Sequence, residues 1–468
     1  MLVMSACASL APERPAVAEV EVPAAWSGTV ATSPAGASSL AQWWSRLDDP
    51  LLTDLVNQAL QANTRVTSAQ AALRQARALR DVAAAGLLPT VGTSASAQRS
   101  RSGDNSASNN FRAGLEASWE PDIFGAERSA RDASEATARA SAANLGDVQV
   151  SIAAEVALGY ISLRNAQVRL AIANDSLASQ LETAQITQWR LQAGLLSSLE
   201  GEQSRAAVEQ TRAQLPALQS SIEQTAHALA VLTGQPPAAL SALLAETRPV
   251  PQVAADLALA IPAETLRQRP DVRAAEQQVS AAIARVAETD AARLPSFKLS
   301  GSIGLSALTL GSLTSAASVV SALAAGVSLP VFDGGAARAR VRAEQAALDL
   351  ASSAYRAVVL AALKDVEDAL VALRGDRERL ARLQLAAEAS GNAALLARQR
   401  FSSGLVDFQT VLDTQRSQLS TQDGVANARA DVSADHVRLY KALGGGWRPE
   451  GSDASSAPDA EETRPPHS

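Results

Sequence analysis

One cysteine in 468 residues excludes any internal disulfide. Aromatic residues make up only 3%, too little for a globular core of this length, which normally draws much of its buried area from Phe, Tyr and Trp. The two methionines, Met1 and Met4, both lie at the N-terminus, so a Met-lined copper path is not supported. The three histidines, His227, His436 and His467, are scattered, with no second His or Cys at ligand spacing, and no metal site is expected. No Ser/His/Asp or Cys/His set is visible. Gly334-Gly335 and Gly444-Gly445-Gly446 lack a phosphate-loop or dinucleotide context and read as a hinge and a helix stop. Neither catalysis nor a cofactor is expected. No run of about 18 or more apolar residues occurs, which excludes a transmembrane helix by this reading. A net charge of −7 argues against a nucleic-acid binder.

What is present is alanine, in a composition suited to long helices packed closely side by side. Residues 1–39 read as a truncated signal followed by an extended tether rich in Ala, Pro, Ser, Val and Glu. Within them Leu2-Val3-Met4-Ser5-Ala6-Cys7 looks like a bacterial lipobox, with Cys7 the residue that would carry a covalent lipid. Residues 448–468 are polar and Pro-containing and are expected to be disordered.

Between these ends the chain shows one plan twice. In the first repeat, residues 40–234, a helix over 51–86 stops before Pro89. Strands follow at 90–98 and 111–119, the second with Phe111, Ala113, Leu115, Ala117 and Trp119 on one face. A helix over 126–191 carries Val156, Leu163, Leu170 and Leu177 at heptad spacing. Gly194 breaks it, and a helix over 197–232, bent at Pro216, ends at Gly234. Residues 235–262 form a linker. The second repeat, 263–447, has a helix over 263–293, strands at 296–305 and 321–329, and a long helix over 336–401. That helix places Val359, Val366, Leu373 and Leu380 at the same spacing. A turn at Gly404 and a helix over 407–443 follow. The repeats align at offsets from 206 (Pro89 with Pro295) to 210 (Gly194 with Gly404), which marks an internal duplication.

The fold class is mainly α with a membrane β part. Each strand has the length of a tilted membrane strand, with an apolar face and a small, polar one. Four strands cannot close a barrel, and an open edge in lipid leaves backbone groups unpaired, so copies must join: eight strands in a dimer, twelve in a trimer. The long helices, at 1.5 Å per residue, reach about 100 Å. Prolines stand at all four strand–helix junctions, Pro89, Pro121, Pro295 and Pro330, where a ladder must end and the chain must bend. Asp333 reads as a helix N-cap.

Arg269-Pro-Asp-Val-Arg-Ala-Ala-Glu276, Leu294-Pro-Ser-Phe297, Ser328-Leu-Pro-Val-Phe-Asp-Gly-Gly335 and Asp365-Val-Glu-Asp-Ala-Leu370 follow one another in the second repeat, and Ser118-Trp-Glu-Pro-Asp-Ile-Phe-Gly125 stands in the first. Together they resemble the TolC-like outer-membrane factors, most of all the lipoprotein branch of OprM and NodT type, over about residues 40–447. The resemblance selects the homotrimer. It implies a 12-stranded β-barrel in the outer membrane continuous with a 12-helix α-barrel in the periplasm. The implied partners are a periplasmic adaptor (a membrane fusion protein) and an inner-membrane pump of the resistance–nodulation–division class. No nucleic acid is implied.

The resemblance also implies a periplasmic constriction at the tip turns Gly194 and Gly404, ringed by acidic side chains. Glu200 and Asp413 match acidic positions of that family. Thr410 stands where a further Asp is common, with Asp407 nearby, and Phe401 where Tyr is common, without its hydroxyl. Three copies of each carboxylate about a narrow axis would repel one another and favour cations. The plainer reading of Glu200 and Asp413 is a pair of solvated helix-start charges. The expected function is a passive exit duct for drugs or small solutes. The alternatives are a type I secretion duct and a non-transporting coiled-coil envelope protein.

Overall fold

The computed structural model describes residues 42–101, 103, 107–253, 266 and 268–447. Cys7, the tether, the tail and residues 254–262 of the linker lie outside these residues. Helices α1 (Pro50–Ala62) and α2 (Thr64–Ala85) precede strands β1 (Thr90–Ser100) and β2 (Ser108–Trp119). Helices α3 (Ala126–Gln192), α4 (Ser198–Leu232) and the single turn α5 (Ser241–Leu244) complete the first half. The second half has α6 (Pro270–Ala291), β3 (Ser296–Ala307), β4 (Val319–Ser328), α7 (Ala336–Ser402) and α8 (Phe408–Ala442). The described chain divides into two units. One comprises Ala71–Ala142 with Arg273–Val358, and the other holds the remainder.

The first unit is built on one antiparallel sheet in the order β1-β2-β3-β4. Thr90 pairs with Ser118 and Ser296 with Ser328, so the two hairpins have the same register at the repeat offsets. Across the middle, Leu115 faces Ile303 and Ala117 faces Gly301. Because side chains alternate, this register gathers Val91, Leu115, Ile303 and Leu323 on one face, together with Trp119 and Phe297. That face is bare: Val91 is 68%, Ile303 58% and Leu323 79% exposed. The opposite face carries Ser94, Arg112, Glu116, Lys298 and Ser302, with Ser94 Oγ donating to Glu116 Oε1 at 2.9 Å. Gly114 and Gly304 lie opposite each other, and the strands approach so closely that a Cβ on Gly304 would stand 2.5 Å from the Ala113 carbonyl oxygen. Within the described sheet, one edge of β1 and one of β4 have no ladder partner.

All four prolines flank strands. Pro89 and Pro295 immediately precede β1 and β3, while Pro121 and Pro330 follow β2 and β4 by two residues. Past Pro121, Asp122 accepts the Arg128 N–H at 3.0 Å and the guanidinium of the same residue at 2.9 Å, fixing the start of α3. Past Pro330, Asp333 accepts the N–H groups of Gly335 and Ala337 at 2.8 and 2.7 Å, the capping role expected of it. Those bonds hold its carboxyl below the usual range.

The second unit is a set of packed helices. The heptad positions form its seams: Val156, Leu163, Val359, Val366 and Leu373 are buried, and Leu170, Leu177 and Leu380 half-buried. Each fully buried Leu contributes about 1.5–3 kcal/mol. Three of the few aromatics meet here: Trp43 stacks on Tyr440 at 5.5 Å and meets Trp44 edge-on. Beside them runs a buried polar chain. Tyr160 donates to Asp49 at 2.7 Å, and the fully buried Arg164 donates to the Tyr160 hydroxyl at 3.0 Å, to Gln167 at 2.7 Å and to the Glu246 carbonyl at 2.6 Å. Burial, with the bond to Asp49, pushes the Tyr160 hydroxyl up to about 12.

Several boundaries differ from the sequence reading. The first helix is broken at Asn63, whose extended ψ of 134° ends α1 while its side chain accepts the Arg65 N–H at 2.8 Å to start α2. Helix α6 begins at Pro270, a residue suited to the first helical position; the expected start at 263 lies outside the described residues. The strands run longer at their hairpin ends, to Ser100, from Ser108, to Ala307 and from Val319. Helix α4 runs through Pro216, as the helix expected over 197–232 does. Also, α7 holds an 18-residue stretch apolar enough by composition to span a bilayer, because two charges within it interrupt the run without outweighing its Ala, Leu and Val content.

Candidate functional site

The expected constriction residues lie on the two helical turns of the second unit, and each turn follows from local sequence. Helix α3 ends where Gly194 takes φ +71°, letting Leu195 N–H reach the Arg190 carbonyl at 2.8 Å and Gly194 N–H the Leu191 carbonyl at 3.0 Å. The same pair of bonds closes α7 at Gly404, with φ +75°: Leu405 to Arg400 at 2.8 Å and Gly404 to Phe401 at 2.9 Å. A side chain at either glycine would be forced into a backbone region that L-residues avoid.

Past each turn an acidic residue organises the next helix, by different means. Ser197 and Glu200 form a reciprocal capping box at the start of α4. The Ser197 N–H and hydroxyl both donate to Glu200, and that hydroxyl is the chief reason its carboxyl sits below the usual range. In the second repeat the capping residue is Asp407, which accepts the Thr410 hydroxyl at 2.6 Å and the Thr410 N–H at 2.9 Å. Those bonds lower its carboxyl in turn. Thr410 therefore serves as a donor to Asp407. Asp413 is exposed one turn further along α8 and accepts from Gln409 at 3.0 Å. Glu200 stands at a helix start, as the plainer alternative has it, and closes a capping box besides; Asp413 is the more open carboxylate.

Phe401 faces inward. It is 2% exposed and lies in a cluster with Ala207, Ala397, Phe408, Val411 and Leu412, its ring 6.1 Å from that of Phe408. Above it stands Arg190, a residue that reading the sequence passed over. Its guanidinium lies 4.4 Å from the Phe401 ring centre and donates to the Phe401 and Ser402 carbonyls at 2.5 and 3.0 Å. A cation over an aromatic face and at a helix C-terminus is favourable on both counts. The signal was in the sequence: Arg190 and Arg400 both stand four residues before their turn glycine.

The two hairpins are further tied along their length. Arg169 pairs with Asp423 at 2.5 Å, Asn165 with Asn427 at 2.9 Å, and Gln415 donates to Thr183 at 2.9 Å, all between α3 and α8. Among the described residues no group of His, Cys, Asp and Glu is placed to hold a metal ion. The turns offer helix ends, carboxylates and hydroxyls to solvent, an arrangement that can attract or repel ions.

A doubled strand–helix plan, a sheet with an exposed apolar face and two hairpin tips bearing acids define a class of membrane exit channel. The chain belongs to the outer membrane efflux protein family, whose pattern matches residues 55–235 and 261–445, and it is an outer-membrane protein of efflux. It is similar to the pyoverdine export outer membrane protein OpmQ of Pseudomonas putida, at 35% identity over 463 residues and 96% of each chain. It also resembles nodulation protein T of Rhizobium leguminosarum bv. trifolii, at 28% identity over 92% of this chain and 93% of that one. Among solved structures, the outer-membrane channel OprN superposes with a TM-score of 0.86 at 35% identity, covering 92% of this chain and 99% of the other.

Proposed function

We propose that three copies of this chain form a passive duct. In this reading four strands from each copy close a 12-stranded barrel in the outer membrane, and the paired helices close a 12-helix tunnel below it. The observation that carries it is the sheet of the first unit. Its apolar face is exposed and its outer strands, β1 and β4, have bare edges of 11 and 10 residues. In a bilayer each unpaired backbone group costs several kcal/mol, and only pairing β4 of one copy with β1 of the next removes the cost.

The duct performs no chemistry of its own. Drugs or small solutes enter from an inner-membrane pump of the resistance–nodulation–division class, through a periplasmic adaptor that grips the helical tips. Cys7 carries a lipid that anchors the chain to the membrane. Glu200 and Asp413, in three copies each, ring the periplasmic constriction and favour cations. The capping bonds to Glu200 keep it ionised against the repulsion of its copies.

The test is native mass spectrometry of the detergent-extracted protein, followed by single-channel recording in planar bilayers. A trimer with a small, cation-selective conductance is expected. Glu200→Gln combined with Asp413→Asn should raise that conductance or lower the selectivity. A monomer without conductance sinks the duct, and a trimer indifferent to the double substitution sinks the acidic ring.

A further inference from the structure

The internal repeat permits a comparison between the seam that joins the two hairpins of one copy and the seam that would join neighbouring copies. If three copies stand in a ring, the operation carrying the first repeat onto the second carries the second onto the first repeat of the next copy. Every contact between α3 and α8 then has a counterpart between α7 and α4 of the neighbour, found by shifting each residue by the tip offset of 210.

The counterparts are unlike their originals. The Arg169–Asp423 ion pair maps to Arg379 and Ala213. The Asn165–Asn427 amide pair maps to Gly375 and Ala217, and Gln415–Thr183 maps to Arg205 and Ala393. None of these pairs can re-form the bond. Arg379 is already engaged within its own copy, with Asp376 and Asp431. At the tip, Phe401, Phe408, Val411 and Leu412, which form the apolar cluster joining the hairpins, map to Leu191, Ser198, Gly201 and Glu202. The area available for burial is far smaller there, and an acid stands where a leucine stood.

One contact survives the mapping. Arg190 caps α7 through the carbonyls of Phe401 and Ser402, and a backbone carbonyl does not depend on side-chain identity. Its counterpart Arg400 is exposed, and the matching carbonyls are those of Leu191 and Gln192, at the end of α3. We propose that Arg400 caps α3 of the neighbouring copy, and that this capping is the principal tie across an otherwise weak seam, so the tip parts between copies and not within them. The ligand of Arg400 is thus a second copy of this chain. The proposal rests on the trimeric reading.

Two measurements test it on the full-length protein. First, Arg400→Gln and Arg190→Gln are compared by single-channel recording after native mass spectrometry has established the trimer for each. Loss of a charged hydrogen bond to a carbonyl from the weak seam should raise the ratio of open to closed tips on the order of tenfold for Arg400→Gln. For Arg190→Gln the change should be much smaller, because the Phe401 cluster still joins those hairpins. Equal effects, or a larger one for Arg190→Gln, overturn the proposal.

Second, Gln192→Cys and Arg400→Cys are combined in one chain, with each single variant as the control for Cys7. Oxidation should give a ladder of linked dimers and trimers on a denaturing gel and a tip locked in low conductance, both reversed by reductant. Only monomer bands, from protein whose native mass is that of a trimer, overturn the seam assignment. A monomeric native mass defeats the trimeric reading itself, so the two failures are distinguishable.

Discussion

Asn63 and Arg269 occupy equivalent points of the two repeats, and each donates to the last carbonyl of the helix that ends its repeat. Asn63 reaches the Leu232 oxygen at 2.8 Å and Arg269 the Ala442 oxygen at 2.7 Å. The helices end alike, at Gly234 and Gly444, but the donors differ. Arg269 is mostly buried and also holds Asp271 at 2.7 Å, so its charge is matched where Asn63 needs no match.

The two latches should therefore fail differently. Asn63→Ala removes a neutral bond and a cap and is expected to cost about 1 kcal/mol. Arg269→Met leaves Asp271 unmatched and should cost about 3 kcal/mol. Urea denaturation of the detergent-purified protein reads both, and an equal or reversed ordering would contradict the assignment.

Gly304 is where the sheet is least tolerant. An added Cβ would meet the Ala113 oxygen at 2.5 Å and the Gly114 Cα at 2.7 Å, whereas at Gly92 it would meet nothing within 4 Å. Gly304→Ala should cost about 1–3 kcal/mol and lower the yield of folded protein in the membrane. Gly92→Ala should change stability by less than about 0.5 kcal/mol. Similar yields of the two variants would show that the strands separate more easily than their register implies.

The repeat also fixes how β4 of one copy should meet β1 of the next. The Leu115–Ile303 pair between β2 and β3 maps to Ala325 and Ala97 at the repeat offsets. Cysteines at Ala97 and Ala325 should cross-link between copies. Cysteines at Ala97 and Ala324 should not, because a one-residue slip puts the two side chains on opposite faces. The reverse pattern would disprove the register.

Acid should spare the helix starts at the tips until low pH. Glu200 and Asp407 are held below their ordinary values by hydrogen bonds, from Ser197 and Thr410 respectively. Groups with depressed values contribute stability that is present above the ordinary carboxylate range, about 3.9–4.3, and lost as pH falls through the lowered values. Hydrogen exchange at residues 198–203 and 408–413, corrected for intrinsic rates, should be level between pH 7 and 5 and rise only below about pH 4. An onset above pH 5 would mean that the caps do not set these titrations.

The strands were legible because alternation is a local property: Phe111, Leu115 and Trp119 announce their face without reference to anything distant. The long helices and their stops were legible for the same reason, since Gly194 and Gly404 act through their own backbone angles. The break at Asn63 was not. Asparagine there does what glycine or proline does elsewhere, and its reason, the Leu232 carbonyl, lies 169 residues away. The tip shows the same divide. Glu200 and Asp413 stand out as acids at set distances from a glycine, whereas Arg190 acts on carbonyls of the other repeat, and a carbonyl leaves no mark in a sequence. Only the coincidence of Arg190 and Arg400 before their turns hinted at it.

The matched lengths of the hairpins reach into how such a gene can change. Helices α3 and α7 both have 67 residues, and α4 and α8 both have 35. Removing one residue from α3 turns everything beyond it by about 100° about the helix axis and carries its apolar stripe off the seam. A compensating loss in α4 would restore that hairpin while leaving it shorter than the other. Length in this stretch is thus inherited as a set of four, and insertions or deletions should survive only when whole turns are gained or lost in both repeats together.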